Sequence, residues 1–307
     1  MIQPADPASV LVDGPWEHRF VAANGARFHL AEVGEGPLVL FLHGYPEFWW
    51  AWRHQLTAVA DAGFRAAALD LRGLGASDKP PTGYDGWTAA ADISGVIRSL
   101  GVESAIVVGH GLGGFVAWSL PYLAPGVTRA LATVGMPHPR VFRRQVARDL
   151  THVRSGALFT RLQRPYVPER EMVTDLQAVP RLLRRWSAPA SAWPSAEEGN
   201  RYAEALTIPF AAHAAAEYHR WLVRSQLRGE GWSYARRLST RIDLPVLQVR
   251  GDQDATVSGI AQGASVAYVG GESTTVVVTD SGHFPHEEAP ARLNRHLLGW
   301  LDGLTVP

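Results

Sequence analysis

The sequence predicts an α/β fold with a mostly parallel central sheet, flanked by helices and interrupted by an inserted helical segment. Short apolar runs alternate with stretches of helical spacing up to about residue 136, and such alternation is typical of parallel sheets. The alternation stops near Pro137 and resumes near Pro245. We therefore expect one sheet built from both ends of the chain, with the middle segment inserted between its strands.

Continuous apolar runs predict the strands, because a strand buried on both faces of a sheet has no polar side. The runs are 38–42, 65–71, 105–108, 130–134, 245–250 and 274–279. Ahead of them, residues 20–31 predict a β-hairpin with Asn24-Gly25 as its turn, since this pair tolerates positive φ. Helical spacing predicts helices, which are 88–100, 113–123 and 289–301.

Residues 137–238 show helical stretches broken by prolines and no clear strand. Proline breaks helices because it lacks the amide hydrogen and clashes with the preceding turn. We interpret this segment as a cap over the sheet. The predicted organisation is an α/β core formed by residues 1–136 and 239–307, with a helical cap domain formed by residues 137–238.

The composition is that of an ordinary globular protein with one large core. The chain has 307 residues, of which 46% are hydrophobic and 19% charged, and its formal net charge is zero. A neutral balance gives no indication of nucleic acid or an anionic membrane as a partner. The chain contains no cysteine, which excludes disulfides, thiolate nucleophiles and cysteine-ligated metals.

Targeting and cofactor signals are also absent from the sequence. Residues 1–13 lack the basic and apolar regions of a signal peptide, and no apolar run approaches the roughly 20 residues of a membrane span. The remaining histidines without a motif show no metal-ligand spacing; they are His54, His152, His213 and His296. We expect a cytoplasmic monomer or homodimer that takes a small-molecule substrate and uses no cofactor or metal.

Residues 104–114 read Ser-Ala-Ile-Val-Val-Gly-His-Gly-Leu-Gly-Gly, an apolar strand followed at once by a glycine-rich turn. This pattern looks like the elbow of the form G-x-S-x-G or G-x-D-x-G, which presents a catalytic Ser or Asp at its middle position. Here the middle residue is Gly111, which has no side chain to attack with. Glycine relieves the strain of a positive φ, so we expect Gly111 to stabilise the protein while deleting the nucleophile.

Three further motifs follow predicted strands. His43-Gly44-Tyr45-Pro46 follows the strand 38–42, Asp254 follows the strand 245–250, and His283 follows the strand 274–279. The carboxyl ends of parallel strands meet at one edge of a sheet, where the ligands of α/β proteins bind. The elbow, Asp254 and His283 also stand in the chain order of a nucleophile, acid and base triad.

Together these motifs resemble the epoxide-hydrolase-like α/β-hydrolases over nearly the full chain. The resemblance implies an α/β-hydrolase fold in which His283 is the general base, Asp254 holds its tautomer, and Gly111 is the vacant nucleophile position. It also implies an oxyanion hole formed by the backbone N–H groups of Tyr45 and Leu112. The string Gly-His-Gly-Leu-Gly-Gly is similar as well to the serine-esterase form of the elbow, which would be equally disabled.

The resemblance breaks in the cap. In this family two cap tyrosines donate hydrogen bonds to the epoxide oxygen, but here His219 stands where one tyrosine should be and Tyr218 is one residue early. The other tyrosine is represented only by Tyr166, which is offset. We expect Tyr218 and His219 to donate protons from the cap and Tyr166 to contact substrate. We also expect substrate contacts from His43 and Trp49, with core packing as the alternative for Trp49.

Three functions are compatible with a vacant nucleophile position. In the first, the His283–Asp254 pair activates a water that attacks a small, largely apolar epoxide, ester or lactone. In the second, the same pair serves as a base in a lyase, an isomerase or cyclase, or a cofactor-free oxygenase. In the third, the protein binds a small molecule without turnover, which leaves the His283–Asp254 pair without a purpose. The sequence favours the first.

Overall fold

Eight strands form one sheet at the centre of the protein. They are β1 (Glu17–Ala23), β2 (Ala26–Val33), β3 (Leu38–Leu42), β4 (Arg65–Leu69), β5 (Ala105–His110), β6 (Thr128–Val134), β7 (Val246–Gly251) and β8 (Ser273–Val278). The computed structural model describes residues 3–149 and 160–304. The strands lie in the order β1-β2-β4-β3-β5-β6-β7-β8. β2 pairs antiparallel with β1 and β4, and the other neighbouring strands pair in parallel, so the predicted mostly parallel α/β fold is confirmed.

Helices flank the sheet. Those in the described part of the chain are α1 (Arg53–Asp61), α2 (Gly86–Ser99), α3 (Gly111–Leu123), α4 (Pro139–Asp149), α5 (Val167–Thr174), α6 (Ala178–Trp186), α7 (Ala196–Thr207), α8 (Ala211–Arg224), α9 (Gly229–Arg237), α10 (Gly259–Ser265), α11 (Pro285–Glu288) and α12 (Pro290–Gly303). None of them is long and apolar enough to cross a membrane.

Local sequence explains the elements that were predicted. Asn24 has a φ of +44° and Gly25 a φ of +73°, as a two-residue hairpin turn of the predicted kind requires. The apolar run of β3 is at most 3% exposed along its length, because the strand is covered on both faces. Helix α3 begins at Gly111 and not at Gly113 as predicted, so the residue in the middle of the elbow is also the first residue of the helix.

Three helices of the core, α1, α10 and the single turn α11, were not predicted. The sequence of α10 is Gly-Ile-Ala-Gln-Gly-Ala-Ser, and its two glycines are poor helix formers. Helix α1 begins directly after the tryptophan-rich stretch that ends at Trp52, where no capping residue indicates a start. Tertiary packing decides such short helices more than local propensity does.

The described residues between β6 and β7 form the helices α4 to α9 and no strand. We call residues 137–238 the cap segment; the domain boundaries at 136/137 and 238/239 stay a prediction. The cap segment contacts the loop after β8, because the Trp186 carbonyl accepts a hydrogen bond of 2.8 Å from the His283 N–H. The Ala188 N–H donates to the Glu288 carboxylate at 2.7 Å, which gives the same loop a second attachment.

The parallel strands place the sequence motifs at one edge of the sheet. Gly44 follows β3, Gly111 follows β5, Gly135 follows β6, Asp254 follows β7 and His283 follows β8. Because these strands run in the same direction, their carboxyl ends lie side by side. Residues that are far apart in the sequence are therefore brought into contact at this edge.

Candidate active site

Gly111 lies where the chain turns from β5 into α3. Its φ is +48°, which confirms the left-handed conformation expected at this elbow. That conformation costs a residue with a Cβ atom about 1–2 kcal/mol. Glycine therefore fits the backbone here without strain.

Gly111 also differs from the neighbouring glycines in the space around it. A Cβ atom on Gly111 would lie 3.6 Å from Gly44 Cα and 3.8 Å from His283 Nε2, both ordinary contacts. A Cβ atom on Gly109 would come within 2.4 Å of the Gly113 carbonyl oxygen, and one on Gly113 within 2.2 Å of a backbone oxygen of β3. Packing thus requires glycine at 109 and 113 but leaves room for a side chain at 111, directed towards His283.

His283, Asp254 and Thr256 form a buried hydrogen-bonded group. His283 Nδ1 lies 3.1 Å from Asp254 Oδ2 and 2.7 Å from the Thr256 hydroxyl, which is itself 2.7 Å from Asp254 Oδ1. A carboxylate only accepts hydrogen bonds, so the Thr256 hydroxyl donates to Asp254 and its oxygen can accept from His283. The proton of the neutral ring therefore resides on Nδ1, and Nε2 carries a lone pair on the side of Gly111.

The pKa shifts of the pair agree with this geometry. Burial opposes protonation of His283, but the nearby carboxylates, Asp254 above all and also Glu47 and Glu288, outweigh it and the pKa of the imidazole is raised. Burial also opposes ionisation of Asp254, yet the His283 ring and the Thr256 hydrogen bonds outweigh it and the pKa of the carboxyl is lowered. Asp254 is therefore an anion near neutral pH and stabilises positive charge on His283.

The His283 ring is held by contacts that the sequence analysis missed. Its backbone carbonyl accepts a 3.0 Å hydrogen bond from His110 Nε2, in addition to the contact of its N–H with Trp186. Gly135 has a φ of +61°, and a Cβ atom on it would lie 3.0 Å from His283 Nδ1 and Cε1. A side chain at 135 would push the His283 ring out of place. The only sequence signal of this contact was a glycine directly after a strand.

The two predicted oxyanion donors belong to residues next in the chain to Gly44 and Gly111. Tyr45 follows Gly44, whose Cα atom borders the space at Gly111, and the Tyr45 N–H donates to no described residue. Leu112 is in the first turn of α3, where N–H groups have no acceptor within the helix. Gly44 N–H donates to Glu47 Oε2 at 3.0 Å, which fixes the loop that carries Tyr45.

A buried network of Glu47, His110 and His286 lies behind the site and was not predicted. Glu47 Oε2 is 2.7 Å from His110 Nδ1, and Glu47 Oε1 is 2.8 Å from His286 Nε2. All three side chains are inaccessible to solvent. In the sequence, the only signal of this network was that each of its residues lies in or next to one of three motifs: His-Gly-Tyr-Pro, the elbow and the histidine loop. The network joins the three loops that surround Gly111.

The hydrogen bonds assign a charge to this network. Despite burial, the two histidines hold the pKa of Glu47 well below its usual range, so Glu47 is an anion. His110 donates through Nδ1 to that anion and through Nε2 to the His283 carbonyl, and neither partner can donate. Both ring nitrogens of His110 must therefore carry protons. Burial lowers the pKa of His286 to about 4, so that ring is neutral and donates through Nε2.

In the described part of the chain, the same three residues form the cluster whose side chains could ligate a metal ion. One potential ligand atom of each lies within 4.8 Å of the others. Both carboxylate oxygens of Glu47, His110 Nδ1 and His286 Nε2 are engaged in hydrogen bonds within the group. We interpret the trio as a buried charge network. His152, one of the histidines without metal-ligand spacing, lies outside the described residues.

The prediction that His43 and Trp49 contact substrate is wrong. Both side chains are 0% exposed, so neither lines a space that a small molecule can enter. His43 Nδ1 bonds the Gly44 carbonyl at 2.8 Å and its Nε2 accepts from the Leu71 N–H. Trp49 Nε1 donates to the Val10 carbonyl at 2.7 Å. The alternative reading of Trp49 as core packing is the one that holds.

The structure also contradicts the roles predicted for two tyrosines of the cap segment. Tyr218 is 3% exposed, and its hydroxyl donates to the Arg72 carbonyl at 3.2 Å. Tyr166 is 84% exposed and precedes α5 with a φ of +61°. One hydroxyl is already used by the core and the other lies on the surface, so neither is placed to donate to a substrate oxygen.

His219 does reach the site, but not as a donor. Its ring packs against the Tyr45 ring with centroids 4.8 Å apart, and its Nδ1 donates to the Ala215 carbonyl at 2.7 Å. Burial lowers the pKa of His219 to about 4, so the ring is neutral at pH 7. With the proton on Nδ1, Nε2 can only accept a hydrogen bond, and the predicted proton donation is wrong.

Comparisons with known proteins agree with the motifs. A family model described as the alpha/beta hydrolase fold matches residues 37–290, from β3 to the loop that carries His283. Epoxide hydrolase 3 of Siraitia grosvenorii is 30% identical to the chain, and the alignment covers 92% of this chain and 96% of that protein. The AB hydrolase superfamily protein YfhM of Bacillus subtilis is 31% identical, with coverage of 92% and 97%.

Solved structures give the same result. Epoxide hydrolase A from Mycobacterium thermoresistibile superposes with a TM-score of 0.84 at 26% identity, covering 95% of this chain and 100% of that one. An epoxide hydrolase from an endophytic Streptomyces superposes with a TM-score of 0.80 at 29% identity, covering 95% and 96%. The chain belongs to the α/β-hydrolase family and, within it, to the epoxide-hydrolase-like hydrolases.

Proposed function

We propose that this protein hydrolyses a small, largely apolar ester, lactone or epoxide with a water molecule that His283 activates. One observation carries the proposal. His283 Nε2 lies 3.8 Å from the position of a Cβ atom on Gly111 and makes no hydrogen bond with a described residue. A water in the space at Gly111 is then within reach of this nitrogen, which can take its proton.

For an ester or lactone the steps balance without a covalent intermediate. As Nε2 takes a proton from the water, the water oxygen bonds to the carbonyl carbon and the carbonyl electron pair moves to its oxygen. The Tyr45 and Leu112 N–H groups stabilise that oxyanion. The electron pair then returns, the bond to the leaving oxygen breaks, and the imidazolium gives its proton to the leaving group.

Asp254 and Thr256 support the base in this proposal. Their hydrogen bonds keep the proton of neutral His283 on Nδ1, so that Nε2 is free to accept the proton of the water. The Asp254 carboxylate stabilises the imidazolium that forms. A protein that only binds an apolar ligand has no use for such a buried arrangement, and this favours base chemistry over the binding function.

An epoxide makes a further demand on the site. When water attacks one carbon, the ring C–O bond breaks and the oxygen becomes an alkoxide that must take up a proton. Among the described cap residues, Tyr218, His219 and Tyr166 are not placed to donate one. The two backbone N–H groups suit the oxyanion of an acyl transfer, so we expect esters and lactones to react faster than epoxides.

The test is hydrolysis of a panel of aryl esters, lactones and epoxides by the natural protein and by His283→Ala. His296→Ala is the matched control, because His296 is an exposed histidine of α12 that belongs to none of the predicted motifs. We expect turnover in the natural protein and the control, and its loss in His283→Ala.

Equal turnover in all three proteins would contradict the proposal. Turnover of no panel member would also contradict it and would favour one of the two other functions, base catalysis of a non-hydrolytic reaction or ligand binding alone. Ligand-induced thermal shifts would then be the next measurement, since they need no reaction.

A further inference from the structure

We propose that the space at Gly111 is a binding site for a small carboxylate anion, with formate as its simplest member. In an elbow of the G-x-D-x-G form, the side chain of the middle residue supplies a carboxylate at this place. Here glycine removes that carboxylate, while the groups that would surround it remain. A free carboxylate can therefore restore the missing charge.

The first group is His283. Its side chain is 8% exposed, and its Nε2 atom has no hydrogen-bond partner among the described residues. That atom faces the Gly111 space at 3.8 Å from the Cβ position. When His283 is protonated, Nε2–H is a charged donor without an acceptor, and a carboxylate oxygen is the acceptor that best suits it.

The second group is the backbone. Helix α3 has 13 residues and begins at Gly111, so its positive end points at the space. The Leu112 N–H lies in its first turn, and Tyr45 follows Gly44, whose Cα atom lies 3.6 Å from the Cβ position at Gly111. Backbone N–H groups at a helix start are well suited to anions. One carboxylate oxygen can therefore accept from the backbone and the other from His283.

The space limits the size of the anion. The two nearest atoms to a Cβ position at Gly111 are Gly44 Cα at 3.6 Å and His283 Nε2 at 3.8 Å. An anion that is not bonded to the chain must also keep van der Waals distance from Gly111 itself. Formate has no carbon besides its carboxyl group, so it fits this restriction better than larger carboxylates.

Binding is coupled to the protonation of His283. The charged and titratable groups that face its ring are Asp254 after β7, Glu47 after β3, His110 at the end of β5 and Glu288 in its own loop. The net result of these groups and burial is a raised pKa of His283. Formate binding is therefore strongest below that pKa and weakens as the pH rises through it, with uptake of one proton per formate above it.

Isothermal titration of the full chain with sodium formate tests the proposal, with formamide as a neutral control of the same shape. We expect saturable one-to-one binding of formate and at least tenfold weaker binding of formamide. Gly111→Asp places a carboxylate in the space and should abolish binding, and His283→Gln should weaken it at least tenfold. Gly111→Ala is the second variant, because its methyl group fills the space without adding charge.

The imidazole nitrogen resonances of His283 give a readout at the site itself. We expect formate, but not formamide, to shift the Nε2 resonance of the natural protein and to raise the midpoint of its titration. No saturable binding of formate, or binding unchanged in Gly111→Asp and Gly111→Ala, would overturn the proposal. None of these measurements depends on turnover. Formate binding can therefore be refuted while the hydrolase proposal stands, and hydrolysis can be refuted while the formate proposal stands.

Discussion

The loops at the edge of the sheet and the cap segment differ in how they hold the candidate site residues. At the sheet edge, His283 and Asp254 are in hydrogen-bonding contact, and the network of Glu47, His110 and His286 holds the surrounding loops. In the cap segment, Tyr218 donates to the core and Tyr166 lies on the surface, while His219 donates through Nδ1 to the Ala215 carbonyl and its Nε2 can only accept.

This difference separates two chemical tasks. The sheet edge holds the groups that, in the proposed function, would remove a proton from water and stabilise negative charge on a carbonyl oxygen. In the cap segment, none of the three predicted donors, Tyr166, Tyr218 and His219, is placed to protonate an epoxide oxygen. Gly111 offers no attacking side chain and the three predicted cap donors are misplaced, so both regions support the proposed attack by water over covalent epoxide opening.

The largest expected effect comes from Asp254→Asn. The amide cannot stabilise the imidazolium, so we expect kcat/KM for the best substrate to fall by on the order of 10³-fold or more. In the natural protein the rate should rise with pH as His283 loses its proton, with a midpoint above the ordinary histidine value of about 6.5. In the variant burial remains while the Asp254 carboxylate is gone, so the midpoint should fall. A pH–rate profile with an unchanged midpoint would mean that Asp254 does not act on His283.

The next effect concerns stability at the sheet edge. Glu47→Gln removes the anion between two buried histidines and leaves the His110 charge unpaired, so we expect a loss of about 3–5 kcal/mol in the free energy of unfolding. Glu197→Gln is the control, since its side chain is 83% exposed and its pair with Arg201 is 3.5 Å long; such pairs contribute about 0–1 kcal/mol. Urea unfolding measures both, and equal small losses would show that the buried network is neutral.

A smaller effect is expected at the vacant position. Gly111→Ala should cost about 1–2 kcal/mol of unfolding free energy, because the residue has a φ of +48°. The control is Gly263→Ala in α10, where a Cβ atom meets nothing within 4 Å; it should gain about 0.5–1 kcal/mol. Thermal or urea unfolding compares the two. A neutral or stabilising Gly111→Ala would show that the elbow relaxes and that glycine is not needed there.

The smallest effect should come from the cap. Tyr218→Phe loses one hydrogen bond of 3.2 Å to the Arg72 carbonyl, which is worth about 1 kcal/mol of stability, and activity should change by less than about twofold. Initial rates on the best panel substrate provide the measurement. A tenfold or greater loss of kcat would mean that the Tyr218 hydroxyl reaches the substrate after all, and the contrast between sheet edge and cap would no longer hold.

The sequence by itself determined the fold class, the missing nucleophile and the identity of the acid and base candidates. These follow from patterns within short stretches: apolar runs for strands, glycines around the elbow, and polar residues directly after strands. Such patterns are local, because the alternation of strand and helix and the conformations open to glycine depend on neighbouring residues. The same stretches predicted the Asn24-Gly25 turn, which the structure confirms.

Only the tertiary structure decided how the side chains are used. Glu47 and His286 are 239 residues apart in the sequence and 2.8 Å apart in space, and Tyr218 finds its acceptor 146 residues away. Which tyrosine is free, which histidine nitrogen holds the proton and which tryptophan lies in the core all depend on such distant partners. A buried polar group must find a partner wherever the fold provides one, and the sequence around that group does not say where the partner is.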